Sequence, residues 1–395
     1  MHRPDHQGHS VVAAPLNPHP LAQLIAHEIE QGGGWMGFER FMERALYAPG
    51  LGYYSGGRRV LGLGPQDGSD FVTAPELSPL FGQALGRQIE QALQATGTHE
   101  VWEFGAGSGA LAVQLLHALE GISRYTIVDL SGALRDRQRH TLLKLAPEHA
   151  HKVVWADTLP ETMQGVIVGN EVLDAMPVKL LAWTGEQWLE RGVGLATGST
   201  PAEPRFVWSD RPASVGERPP TDHPNQAFAP GTVVECHPQA EAFIATLARK
   251  LTRGVAFFID YGFPEAEFYL PQRTGGTLMC HQAHCSDADP LVDVGAKDIT
   301  AHVNFTGIAL AAQDAGWTVL GYATQARLLM NCGLLMHLAP QDPAHPSVAE
   351  IRSHAAAQKL LGEHEMGELF KVIGFVAGEW FDALGFTQGD RTHTL

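Results

Sequence analysis

Between residues 101 and 171 short apolar runs alternate with amphipathic ones. Residues 101–104, 125–128, 153–155 and 166–168 have the length and largely apolar composition of short strands. Residues 110–119 and 133–145 carry helical spacing, the second with Ser131 as a cap. The alternation resumes with a helix over 239–251, a strand over 255–259, a helix over 305–315 and a strand over 318–321. A last strand, preceded by a turn, falls within 367–373. Such β-α alternation predicts a parallel sheet covered by helices on both faces.

The flanks read differently. Apolar residues at 21, 24, 25 and 29, then at 38, 41, 42, 45 and 46, repeat with helical spacing, and Pro49 stops them. Leu80, Phe81, Leu85 and Ile89 lie on one face of a further helix within 75–95, and a glycine-rich loop over 50–68 precedes it. Residues 183–230, rich in Pro, Gly and Trp, interrupt the alternation like an inserted ribbon or flap. The resulting division is a disordered tail (1–20), a helical N-terminal region (21–98), a core (99–180 and 231–330), an insertion (181–230) and a C-terminal extension completing the sheet (331–395). The N-terminal region and the insertion are expected to close over the ligand.

With 395 residues, 44% apolar and 18% charged, the composition is that of a globular protein. The formal net charge of −16 opposes nucleic-acid binding and is compatible with a basic protein partner. No apolar run approaches the roughly 18 residues of a membrane span, and the first 20 residues lack the apolar stretch of a secretory signal. Both point to the cytoplasm. Cys236, Cys280, Cys285 and Cys332 are too scattered for a disulfide scaffold. The cluster Cys280, His281, His284 and Cys285 is too compact to close around one tetrahedral ion, so it reads as a loop and no metal is expected.

The most informative feature is the turn after the first strand, E-F-G-A-G-S-G over 103–109. Gly105, Gly107 and Gly109 let the backbone turn tightly against a ligand, and the following helix offers it unpaired N–H groups. Gly105, Gly107 and Ala110 also fit a dinucleotide fingerprint, with Asp129 at the expected distance. Glu103 tilts the choice. A carboxylate there would repel a pyrophosphate and attract a cationic amino acid group such as that of S-adenosylmethionine. On this reading Glu103 faces the amino acid end, Asp129 the ribose hydroxyls, and Asp157 or its neighbour the adenine.

The segment N-E-V-L-D-A-M-P over 170–177 follows the fourth strand. Glu171 and Asp174, three apart, share a face if the segment is helical, and together can hold a guanidinium in bidentate fashion. The plainer reading is a helix start with Asn170 as cap. Asn170, Glu171 and Asp174 are therefore the catalytic candidates. Asp70, Thr73, Glu76, Asp260, Tyr261 and His302 are the substrate candidates, with Thr73 and Asn304 also readable as caps.

Taken in order, G-L-G-Y-Y-S (51–56), D-F-V-T-A-P-E-L-S-P-L-F-G (70–82), the glycine turn, N-E-V-L-D-A-M-P, I-D-Y-G-F (259–263), G-G-T-L (275–278), D-I-T-A-H-V (298–303) and M-G-E-L-F-K-V (366–372) resemble the MidA family of class I methyltransferases. The resemblance covers about residues 35 to 375. It implies a Rossmann-like seven-stranded α/β sheet and S-adenosyl-L-methionine as cofactor. It also implies methylation of an exposed arginine on a protein partner, in the mitochondrial members linked to respiratory complex I. Two alternatives stay open on the residues alone: an NAD-linked oxidoreductase, and a non-catalytic assembly chaperone on the same fold.

Overall fold

The computed structural model describes residues 20–56, 72–129, 131–200, 203–282, 284–338 and 347–395. Most of the tail and of the glycine-rich loop, with Asp70, lie outside them. Pro20, placed in the tail by sequence, instead starts the first helix.

The chain opens with α1 (Pro20–Gln31), β1 (Met36–Gly37), α2 (Phe38–Tyr47), α3 (Ala74–Leu77) and α4 (Pro79–Thr96). Then come β2 (Glu100–Phe104), α5 (Ala110–Ala118), β3 (Arg124–Val128), α6 (Gly132–Leu145), β4 (Val153–Ala156) and β5 (Met163–Asn170). Strands β6 (Lys179–Trp183), β7 (Trp188–Leu195), β8 (Phe206–Pro212) and β9 (Val233–Cys236) follow, then α7 (Pro238–Lys250), β10 (Leu251–Phe263) and α8 (Glu265–Phe268). The chain continues through β11 (Met279–Gln282), β12 (Cys285–Asp287), β13 (Asp298–Thr300), β14 (Val303–Asn304), α9 (Phe305–Asp314), β15 (Thr318–Thr324), α10 (Gln325–Asn331), α11 (Val348–Leu361), α12 (Met366–Leu369) and β16 (Phe370–Ala377).

The central sheet runs β15-β16-β10-β5-β2-β3-β4, with the short β14 added at the end of β10. From β10 to β4 every pairing is parallel, whereas β16 is antiparallel to both its neighbours. Strand β10 shows why this sheet is buried on both faces. Val255, Phe257 and Ile259 enter a core with α4 and α5, while Ala256 and Phe258 enter a second core with α7 and α9. The sequence expectation for 367–373 needs one correction, since residues up to Leu369 form a helical turn and the strand begins at Phe370.

Residues 179–236 form a second, antiparallel sheet, in which β7 also receives Met36 and Gly37 of β1. Helices α1 and α2 pack against this sheet. A third sheet, β12-β11-β13, contains Cys280, His281 and Cys285 in strands, where the sequence suggested a loop. None of the described helices is long and apolar enough to cross a membrane.

Candidate functional site

The ends of β2, β3 and β5 open into a cavity of about 1020 Å³. This is where a parallel α/β sheet presents its loops to a ligand. The first wall is the glycine turn. Gly105, Gly107 and Gly109 have φ of 65°, 52° and 84°, all in the left-handed region that side chains resist. A Cβ on Gly105 would also stand 3.0 Å from Val172 Cγ2.

Glu103 is buried and accepts a 2.6 Å hydrogen bond from the Tyr125 hydroxyl. Burial pushes its carboxyl up to about 7 against the opposing effect of that bond. Asp129 directly follows β3 and accepts from the Ser131 N–H at 2.9 Å and from Gln138 Nε2 at 2.8 Å. Gln138, which the sequence reads as one more polar residue of α6, also donates to the Gly107 carbonyl at 3.2 Å and accepts from Trp155 Nε1 at 2.9 Å. It is fully buried and braces the glycine turn against Asp129. Asp157 lines the cavity at its outer end, exposed and paired with Arg135.

The second wall follows β5, and here the helical expectation fails. Residues 171–177 form no helix, and Glu171 has a φ of 54°. Asn170 does not cap; its amide donates to Glu171 Oε1 at 2.9 Å. Asp260, fully buried beneath this turn, explains the conformation. Its Oδ2 accepts the N–H groups of Val172, Leu173 and Asp174 at 3.2, 2.9 and 3.2 Å, and its Oδ1 that of Tyr261 at 2.9 Å. Asp260 does not line the cavity, so its assignment as a substrate residue gives way to one of shaping the loop.

Both Glu171 and Asp174 do line the cavity. Burial, then the charge of Asp174, pushes Glu171 up to about 8. Burial pushes Asp174 up to about 6, opposed by the hydrogen bond from the Tyr261 hydroxyl. His302 lies flat on Phe263, with ring centroids 5.3 Å apart, and burial lowers it to about 4, which leaves it neutral. Thr73 precedes α3 and lines the cavity, without a capping bond from its side chain. Glu76 does not line it; it borders a smaller adjacent cavity of about 410 Å³, 4.0 Å from Arg137. Asn304 caps α9 through the Gly307 N–H, as its plainer reading required.

The structure adds residues that the sequence did not assign to the site. Tyr47, Tyr54 and Asp298 line the cavity, as do Met279, His281 and Ser286 from the third sheet. By contrast, no described residue of the 183–230 insertion lines it, so that segment is not the expected cover. Among the described residues, one group has the proximity of metal ligands, His117, Glu148 and His149. It stands at the opposite end of α5 from the glycine turn.

The donor set fits S-adenosylmethionine: a glycine cradle without side chains, a buried carboxylate at Glu103 and a second at Asp129. Residues 84–323 match a family of S-adenosyl-L-methionine-dependent methyltransferases. This chain belongs to the MidA-type methyltransferases. A Burkholderia thailandensis protein crystallised with S-adenosyl-homocysteine is 50% identical, covers 95% of this chain and 96% of its own, and superposes with a TM-score of 0.87. "Protein arginine methyltransferase NDUFAF7, mitochondrial" of Xenopus tropicalis is 27% identical over 85% of this chain and 81% of its own. The human protein of the same name is 25% identical over 90% and 83%. Family membership removes the NAD-linked alternative and makes the chain an enzyme with S-adenosyl-L-methionine as cofactor. The cytoplasmic expectation does not stand either. These relatives are named mitochondrial, which overturns the assignment to the cytoplasm.

Proposed function

We propose that this MidA-type enzyme methylates the side chain of an exposed arginine on a protein partner. One observation carries the reading. The cavity is lined by six carboxylates, Glu103, Asp129, Asp157, Glu171, Asp174 and Asp298, and by no lysine or arginine among the described residues. A chamber of that sign favours cations at both ends. The names of the curated relatives, protein arginine methyltransferases, support the same chemistry. The resemblance to the mitochondrial members makes a respiratory complex I subunit the first partner to try.

In this reading Gly105–Gly109, Glu103 and Asp129 hold the cofactor, with Asp157 at the adenine end. When bound, its sulfonium supplies an electrophilic methyl group. Glu171 and Asp174 orient the guanidinium, and alignment of that kind is the main need of a displacement reaction. Asn170 fixes the Glu171 rotamer. The attacking nitrogen must shed a proton, and Glu171, raised to about 8, is the lining carboxyl best suited to take it. The test is methylation of arginine peptides and of their lysine counterparts with labelled S-adenosylmethionine, followed by amino acid analysis. Label on methylarginine is expected. Label on lysine alone, or on a carboxyl or hydroxyl group, would refute the arginine reading.

A further inference from the structure

A guanidinium has two hydrogen-bonding edges, and Glu171 with Asp174 accounts for one wall around it. Asp298 stands on another. It begins β13 in the third sheet, is 3% exposed, and lines the same cavity. Its Oδ2 accepts a 2.9 Å hydrogen bond from the Tyr54 hydroxyl. Its charge acts on Glu171, so the two carboxylates sense one another while coming from separate elements. The Ala301 N–H donates to the Asp174 carbonyl at 3.0 Å, which pins the segment after β13 to the 171–177 turn.

Tyr54 is fixed at three points. Its hydroxyl is on Asp298, its carbonyl accepts from Ser131 Oγ at 2.8 Å, and its ring stacks on Tyr47 with centroids 5.7 Å apart. Tyr47 is tied in turn to the Ala175 carbonyl at 2.8 Å. The Asp298 carboxylate is therefore held in one orientation by an aromatic pair that spans the cofactor and substrate walls.

We propose that Asp298 is a substrate-binding residue, aimed by Tyr54 as a positioning residue, and that Asp298 and Glu171 together engage the two edges of a guanidinium. The arrangement selects arginine over lysine, because a planar fork uses both carboxylates bidentately while an ammonium is a point charge. The inference rests on the arginine reading above.

Steady-state kinetics of Asp298→Asn and Tyr54→Phe in the full chain, with arginine and lysine peptides, provide the test. S-adenosyl-homocysteine affinity and melting temperature serve as folding controls. Asp298→Asn should raise KM for the arginine peptide about tenfold or more, change kcat by only a few fold, reduce the arginine-over-lysine preference, and leave cofactor affinity intact. Tyr54→Phe should shift the same quantities less, since Phe keeps the carbonyl bond to Ser131 and the ring stack. A folded Asp298→Asn protein with unchanged KM and preference overturns the proposal. Should that variant fail to fold, an unchanged KM in Tyr54→Phe does so, as does a loss of cofactor affinity in Tyr54→Phe. If the unmodified enzyme leaves arginine peptides untouched, the arginine reading itself falls, an outcome distinct from a working enzyme whose variants match it.

Discussion

Asp260 Oδ2 receives the Leu173 N–H at 2.9 Å, at the centre of three N–H groups that converge on the same oxygen. This contact holds Glu171 in a left-handed conformation that costs about 1–3 kcal/mol when nothing compensates it. Asp260→Ala would leave those donors buried without an acceptor, at about 1–3 kcal/mol each. A large fall in urea-denaturation stability and a loss of activity should appear together. A stable Asp260→Ala protein impaired only in substrate KM would restore Asp260 to the substrate site.

Glu171→Gln should lower turnover by about a hundredfold or more, as expected for loss of a charge-assisted contact to the reacting group. S-adenosyl-homocysteine affinity should stay within a few fold. The melting temperature should not fall, because no helix begins at this position and burial already opposes the Glu171 charge. Near-normal turnover in this variant would move the search for the proton acceptor to Asp174.

Gly107→Val should abolish cofactor binding. The position has a φ of 52°, where a β-branched side chain is strained, and it lines the cavity. Calorimetry with S-adenosyl-homocysteine on a folded variant is decisive. Unchanged affinity would remove the glycine turn from the cofactor site.

Binding should depend on pH in a defined direction. Glu103, raised to about 7, can attract the cofactor ammonium only when ionised, so S-adenosyl-homocysteine affinity should climb from pH 5.5 through 7 and level off above. Glu171, raised to about 8, should impose a similar rise on kcat/KM one unit higher. Stability without ligand should run the other way. Both groups bind protons more tightly folded than unfolded, so their contribution is complete below the ordinary carboxylate value of 4.5 and is lost as pH rises through 7 and 8. A flat affinity profile over that range would show that Glu103 does not meet the ammonium.

What could be read directly from the chain was what local pattern encodes. Strands β2, β3, β5 and the 255–259 stretch of β10 announce themselves as mostly apolar runs, because central strands of a parallel sheet are covered on both faces. The glycine turn is equally legible, since three positive φ values in five residues require glycine. Glu103 could be weighed by its charge alone.

Tertiary structure decided whatever depends on partners distant in sequence. The 170–177 segment carries helical spacing, yet Asp260, nearly ninety residues later, gathers its N–H groups into a turn. Asp298 meets Tyr54 across 244 residues, and no periodicity signals a contact of that kind. Gln138 looks like any polar helix residue until folding places it between Gly107 and Asp129. The last strand could be recognised by its apolar residues, but its insertion antiparallel between β10 and β15 could not. Hydrophobic pattern specifies which face of an element is buried, whereas the identity of the neighbour is set by packing of the whole chain.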